Sequence, residues 1–336
     1  MIDLLTKLCT AKGVSGDEMS VCSLIKDEIS KYADTVVVDR NNNVLAAIGD
    51  TTEHNIMLDA HLDEIGFIVT NIDDNGFVKV SSCGGMDYRV AADSRFRIIT
   101  DSGEITGVVC CMPPHLSDGG EDKAPAADSI YLDTGLPKEE VKDRVKPGDT
   151  AAYDILPAKL LNNHFSCCST DNRASCAVLI RIAQMIRENP VNTGVTFAFT
   201  SQEETYGKGA MTSAYSVNPD KAICIDVSFA LQQGVSESES GKLGSGAMIC
   251  ISPVLSKKMY GKMIELAKQR NIPYQLEVTG GLTGTNGDKI SVTRCGIPTA
   301  VVSVPQRNMH TPAEIISLDD IENTARLVYE YLKETC

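Results

Sequence analysis

Two spacings of apolar residues alternate along most of this chain. Continuous apolar runs typical of buried strands occur at residues 56–61, 195–200, 222–225 and 300–304. Apolar residues recur at the helical period over residues 15–33, 172–188, 256–270 and 318–333, and Ser15 and Glu18 have the spacing of a capping box. Because such alternation builds a mostly parallel sheet covered by helices, we predict an α/β fold.

A different pattern fills residues 64–160. Short β-like runs are separated there by turn sequences, of which D-D-N-G at residues 73–76 and D-S-G at residues 101–103 predict β-hairpins. We therefore predict two domains. The larger one consists of residues 1–63 and 161–336, and a β-rich domain of residues 64–160 is inserted into it.

The composition excludes several classes of protein. The 336 residues carry a net charge of −14, which disfavours nucleic acid and anionic membranes as partners. No apolar run reaches the roughly 18 residues of a membrane span, and residues 1–7 lack the pattern of a signal peptide, so we expect a cytoplasmic protein. The 12 cysteines contain no C-x-x-C pair, which predicts reduced, mostly buried thiols rather than a zinc ribbon.

Acidic and imidazole side chains stand near the ends of these apolar runs. They are His61, Asp63, Asp171, Glu203, Glu204, Asp226 and His310. Taken singly, each has an ordinary structural interpretation, since Asp171 suits a helix N-cap and a Glu pair is common on solvated surfaces. Because open α/β sheets bind ligands beyond the carboxyl ends of their strands, we expect these side chains to meet in one site.

This set of ligands indicates divalent metals. Two His, two Asp and a Glu suit Zn²⁺, Co²⁺ or Mn²⁺, and a pair of ions that share one bridging carboxylate would use all five. One residue of the Glu203–Glu204 pair would then be left as a general base. Asp63 has the spacing to hydrogen-bond the far nitrogen of His61. The pattern predicts a metal-dependent hydrolase.

Ordered motifs over nearly the whole chain resemble those of the TET-type, glutamyl-aminopeptidase-like metallopeptidases of peptidase family M42. They are G-V-S-G-D-E at residues 13–18, H-L-D-E-I-G-F at 61–67, P-P-H-L at 113–116, V-K-P-G-D at 145–149, Q-E-E at 202–204 and H-T-P-A-E at 310–314. The resemblance implies a phosphorylase/hydrolase-like, mixed-sheet, three-layer α/β catalytic domain. It also implies that the inserted domain is a PDZ-like β-barrel that makes dimer contacts.

The same resemblance implies an aminopeptidase that removes N-terminal residues from peptides with two divalent metal ions per subunit. His61 and Asp226 would hold one ion, Glu204 and His310 would hold the other, and Asp171 would bridge them. Glu203 would be the general base, and Asp63 would orient His61. Dimers would assemble into a tetrahedral homododecamer.

Some positions depart from the family pattern, and other functions stay open. Asn172 replaces the usual second Asp, and residues 205–209 and 284–287 differ near the expected substrate pocket. The alternatives are an N-acyl amino acid or peptide deacylase on the same site, an endoglucanase-type glycosidase that uses the paired glutamates, and a non-catalytic binding protein. Glycosidases usually present Trp to sugars, and this chain has none. Basic residues near the motifs, Lys208, Lys289 and Arg307, would favour acidic N-terminal residues.

Overall fold

The computed structural model describes residues 1–111 and 129–334, so the P-P-H-L motif lies outside the described residues. The described helices are α1 (Ile2–Thr10), α2 (Met19–Ile29), α3 (Tyr88–Ala91), α4 (Lys138–Arg144), α5 (Thr170–Glu188), α6 (Lys208–Val217), α7 (Lys257–Gln269), α8 (Asn286–Ser291) and α9 (Leu318–Glu334). The described strands are β1 (Thr35–Val38), β2 (Val44–Ile48), β3 (Asn55–His61), β4 (Gly66–Ile72), β5 (Val78–Cys83), β6 (Arg95–Thr100), β7 (Gly103–Val109), β8 (Tyr131–Asp133), β9 (Thr150–Tyr153), β10 (Ala158–Lys159), β11 (His164–Cys167), β12 (Gly194–Thr200), β13 (Lys221–Phe229), β14 (Ala247–Ile251), β15 (Tyr274–Val278), β16 (Thr299–Arg307) and β17 (Glu314–Ser317).

A mixed sheet of 11 strands forms the larger part of the molecule. Its order is β1-β2-β12-β3-β13-β16-β17-β11-β10, with β14 paired to β16 and β15 paired to β14. The four central strands β12, β3, β13 and β16 are parallel neighbours. Their carboxyl ends therefore lie at one edge of the sheet.

Helices cover both faces of this sheet because the central strands are apolar on both sides. Leu58 and Ile223 pack into a core that includes α5 and α9. Their neighbours Met57 and Cys224 face the opposite side and pack against α6 and α8. All seven residues of β3 and of β12 are buried, which is typical of strands in a three-layer α/β domain.

The inserted unit is a closed antiparallel barrel in the order β4-β5-β8-β7-β6-β9. Phe67, Phe96 and Tyr153 stack in its interior, with ring centroids 4.8 Å and 4.4 Å apart along the series. The hairpins predicted at residues 73–76 and 101–103 join β4 to β5 and β6 to β7. The fold class predicted from the sequence is confirmed. The barrel ends with β9, and β10 already pairs within the main sheet, so the limits 64–160 of the inserted domain stay a prediction.

The first predicted helix differs from the structure. In place of one helix over residues 15–33, α2 begins at Met19, and the chain has a further helix, α1, that was not predicted. The capping box does not form, because the Glu18 carboxylate accepts the N–H of Gly16 and the Ser15 hydroxyl lies 2.9 Å from that of Thr205. No helix in the described part of the chain is long and apolar enough to cross a membrane.

Candidate metal centre

The side chains predicted to form a site meet at the carboxyl edge of the four parallel strands. His61 is the last residue of β3, and Thr200, its partner in the sheet, ends β12 just before Glu203 and Glu204. Asp226 lies within β13, and His310 follows β16. Asp171 lies at the start of α5, where its backbone is not yet helical. The topology thus gathers residues from five separate segments.

Two overlapping groups of potential metal ligands share Asp171. In the first group, one ligand atom from each of His61, Asp171 and Asp226 lies within 4.8 Å of the others, and the second group, Asp171, Glu204 and His310, meets the same limit. The His61 Nε2 atom lies 3.1 Å from Asp171 Oδ1, and His310 Nε2 lies 3.4 Å from Asp171 Oδ2. The two oxygens of one carboxylate therefore face the two imidazoles.

Backbone carbonyls determine the tautomers of both imidazoles. His310 Nδ1 lies 2.9 Å from the carbonyl oxygen of Gly85, and His61 Nδ1 lies 3.2 Å from that of Asp63. Because a carbonyl oxygen can only accept, Nδ1 must carry the hydrogen in both rings. Each Nε2 atom faces the carboxylates of the cluster, and it is the nitrogen that a divalent ion would bind in place of a proton.

Asp63 supports the site in two ways. Its carboxylate lies 3.5 Å from His61 Nδ1, the imidazole nitrogen that the sequence predicted it would contact. The same carboxylate accepts the backbone N–H groups of Glu203 and Glu204, at 3.0 and 3.2 Å. Asp63 is fully buried, so it fixes the loop that carries both glutamates.

Glu314 also supports the site, although the sequence analysis assigned it no role. One of its carboxylate oxygens accepts the backbone N–H of His310 at 3.0 Å. The other accepts the Thr170 hydroxyl at 2.9 Å and the backbone N–H of Asp171 at 3.1 Å. Glu314 therefore links two of the three segments that form the second ligand group, those of Asp171 and His310. The position of Glu314 at the end of the H-T-P-A-E motif was the feature of the sequence that could have indicated this role.

Asn172 stays outside both ligand groups. It is fully buried, and its Nδ2 atom donates to the carbonyl oxygen of Ile225 at 3.1 Å. That bond ties the start of α5 to β13, one residue before Asp226. The replacement of the usual Asp by Asn172 therefore affects a structural contact between α5 and β13.

Comparisons with known proteins agree with this geometry. The family model described as M42 glutamyl aminopeptidase matches residues 42–327. The chain belongs to this family. A putative aminopeptidase of Acetivibrio thermocellus is 33% identical over 335 residues, which cover 98% of both chains.

Solved structures resemble the whole chain. A TET aminopeptidase from the archaeon Thaumarchaeota archaeon SCGC AB-539-E09 superposes with a TM-score of 0.94 at 30% identity, covering 99% of this chain and 96% of that one. Pyrococcus horikoshii TET1 peptidase gives 0.88 at 30% identity, covering 100% and 99%. The protein is accordingly an M42 aminopeptidase, a metallopeptidase hydrolase with two candidate metal-binding groups.

The charges in the site of this M42 aminopeptidase are unbalanced. Burial, reinforced by Asp171, raises the pKa values of Glu204 and Asp226 well above their usual range. Burial alone would lower the pKa of His310, but its bond to Asp171 and the charge of Glu204 raise it to about 10. Among the described residues that line the pocket none is Lys or Arg. Divalent cations would neutralise this excess of carboxylates, so the residues present fit a pair of metal ions.

Glu203 differs from the other carboxylates of the M42 site. It lines the pocket but belongs to neither ligand group. Burial raises its pKa to about 7, with the charges of Asp171 and Asp63 acting in the same direction and His61 opposing them. A carboxylate with a pKa near neutrality is suited to both accept and return a proton.

Proposed function

We propose that this M42 aminopeptidase cleaves the first peptide bond of peptides at a two-metal site. His61 and Asp226 would bind one divalent ion, Glu204 and His310 the other, and Asp171 would bridge them. The observation that carries this assignment is the sharing of Asp171 by two ligand groups that each contain one imidazole and one further carboxylate. The donor types favour Zn²⁺ or Co²⁺, with Mn²⁺ as a further candidate.

The chain's own residues divide the chemistry between them. When bound, the metals would polarise the carbonyl of the scissile bond and lower the pKa of a water molecule. Glu203 takes the proton from the attacking water and delivers it to the leaving nitrogen, because it lines the pocket and is not a ligand. Asp63 is a positioning residue: its carboxylate accepts the backbone N–H of Glu203, and its charge helps to raise the pKa of Glu203.

The other functions considered have less support. A glycosidase needs two carboxylates on opposite sides of the scissile bond, whereas Glu203 and Glu204 are consecutive residues and the pocket also contains two imidazoles. A deacylase would use the same metal groups but would act on substrates whose α-nitrogen is acylated. The metal site therefore does not distinguish a deacylase from an aminopeptidase, and only the substrates that are cleaved can do so.

The test compares free and N-acetylated aminoacyl-p-nitroanilides after chelation and reloading with Zn²⁺, Co²⁺ or Mn²⁺. We expect metal-dependent cleavage of the free substrates only. Glu203→Gln should lower kcat by about 10²- to 10⁴-fold while the bound metal content is unchanged. Glu140→Gln, at an exposed position on α4, is the control.

Cleavage of blocked substrates alone would replace the aminopeptidase with the deacylase. Wild-type turnover by the Glu203→Gln variant would remove the general-base assignment. Loss of metal from that variant would instead mean that Glu203 is itself a ligand.

We also propose that the chain assembles as a homo-oligomer, with dimers combining into a dodecamer. The support is that Pyrococcus horikoshii TET1 peptidase can assemble into a tetrahedron or a large octahedral shell. Light scattering at micromolar concentration should give a mass twelve times that of the chain, and a monomeric mass would contradict the proposal.

A further inference from the structure

One carboxylate in the catalytic pocket has no part in the mechanism above. Glu277 on β15 lines the same pocket as His61 and Glu203 but belongs to neither ligand group. Its partners are two hydroxyls, with Ser228 donating to one oxygen and Ser303 donating to the other at 3.3 Å. Among the described residues, no Lys or Arg forms an ion pair with it.

The register of the sheet fixes where Glu277 faces. Glu277 pairs with Cys250 on β14, and the antiparallel pairing of Met248 with Ser303 sets Cys250 beside Val301 on β16. Paired residues project from the same face, so these three side chains form one row across the sheet. Cys250 and Val301 also line the pocket and are buried. The row is therefore an apolar floor with a carboxylate at its end.

The distance from this carboxylate to the metal ligands suits a long side chain. Ser228, which bonds Glu277, lies two residues beyond Asp226 on β13 and on the same face, about 7 Å along the strand. The five bonds from Cα to Nζ of an extended lysine span about 6 Å. A substrate whose first carbonyl lies at the metal groups could thus bring its terminal ammonium to Glu277.

The chemistry of the walls fits the same kind of group. Phe229 and Met309 add apolar lining, which suits a methylene stem. Burial raises the pKa of the Glu277 carboxyl, so the carboxylate form is disfavoured until a cation accompanies it. None of the basic residues noted in the sequence lines the pocket that contains Glu277. Arg307 donates to the carbonyl of Leu231, and Lys289 lies over the ring of Tyr206 in an adjoining depression that Glu203 and Glu204 also line.

We propose that Glu277 is a specificity-determining residue that binds the cationic side chain of an N-terminal lysine or arginine. This inference rests on the proposed function, because it assigns the substrate side chain of the same site. The two serine hydroxyls hold the carboxylate in position, and the row of Cys250 and Val301 supports the aliphatic stem. This proposal is the opposite of the expectation from the sequence, in which nearby basic residues would favour acidic N-terminal residues.

The first experiment measures kcat/KM on Lys-, Arg-, Leu- and Glu-p-nitroanilide for the wild type, Glu277→Gln and Glu239→Gln. Glu239 is an exposed acid of an adjoining depression that Glu277 also lines, so it controls for the loss of a nearby negative charge. We expect the wild type to prefer Lys and Arg. Glu277→Gln should lower kcat/KM for Lys and Arg by at least about tenfold and change that for Leu by less than about twofold. Glu239→Gln should change neither.

Two results would overturn the proposal. If the ratio of Lys to Leu cleavage is unchanged in Glu277→Gln, Glu277 does not bind the side chain. If cleavage of all substrates falls equally, Glu277 binds the common α-amine or supports the metal site instead.

A binding measurement keeps the inference testable if the wild type shows no turnover. Calorimetry would compare L-lysine with L-norleucine, which has the same unbranched stem without the ammonium group. Tighter binding of lysine by the wild type, lost in Glu277→Gln, would support the pocket assignment even though the proposed peptidase activity had failed. Equal binding of the two amino acids by the wild type would overturn it.

Discussion

Replacing Asp63 with Asn removes one hydrogen-bond acceptor at the centre of the site. The Asp63 carboxylate accepts the N–H groups of Glu203 and Glu204 through separate oxygens, and all of its side chain is buried. Asn has one acceptor oxygen and one donor nitrogen, so one of the two N–H groups would face a donor. A buried group left unsatisfied costs about 1–3 kcal/mol. We therefore expect Asp63→Asn to lower the free energy of unfolding by about 2 kcal/mol.

The assay is urea unfolding in the presence of chelator at a fixed protein concentration, so that metal binding and assembly do not shift the comparison. Far-UV circular dichroism is the suitable signal because the chain has no Trp. Asp143→Asn, at an exposed position on α4, is the matched control. If Asp63→Asn and the control unfold at the same urea concentration with equal slopes, the two hydrogen bonds do not hold the loop and the reasoning is refuted.

Two further substitutions test the surroundings of the ligands. A Cβ atom at Gly85 would lie 2.8 Å from His310 Nδ1, so Gly85→Ala should displace the imidazole and weaken metal binding by about 10- to 100-fold in a Zn²⁺ titration. Gly261→Ala, where a Cβ meets nothing within 4 Å, should bind like the wild type, and equal affinities of both variants would contradict this. Asn172→Asp cannot donate to the carbonyl of Ile225 unless it is protonated, so its folded-state pKa should be raised. Its stability relative to the wild type should be highest at low pH and fall as pH rises through that pKa; a difference in melting temperature that is equal at pH 5 and pH 8 would count against it.

The sequence was sufficient to predict the residues at the carboxyl edge of the sheet. Each central strand is an apolar run that ends near an acidic or imidazole side chain, and parallel strands bring such ends together whatever their separation along the chain. His61 and Asp226 could be placed together on this argument alone. The roles of Glu203 and Asp63, in contrast, came from a spacing and a resemblance, and they stay predictions.

Other contacts could not be predicted because they depend on register and on backbone position. Glu277 occupies a plain alternating strand, and only the order β15-β14-β16 turns it towards the pocket. Glu314 binds backbone N–H groups, and because nearly every residue has one, the sequence does not show which of them it contacts. The bond between His310 and the carbonyl of Gly85 joins residues 225 positions apart, with no side chain from Gly85 to indicate it. Predicting such contacts requires the packed structure.

Among the described residues, the inserted domain contributes backbone to the site at one of the two ligand groups. Gly84 and Gly85 follow β5, and a Cβ on Gly84 would lie 3.2 Å from that of Glu204, while one on Gly85 would meet His310. Gly84 and Gly85 therefore approach Glu204 and His310, the two residues that belong to the second ligand group alone. His61 and Asp226, in contrast, are held by strands of the main sheet. A displacement of the barrel should accordingly disturb the Glu204–His310 group and leave the His61–Asp226 group in place, so the two metal affinities need not change together.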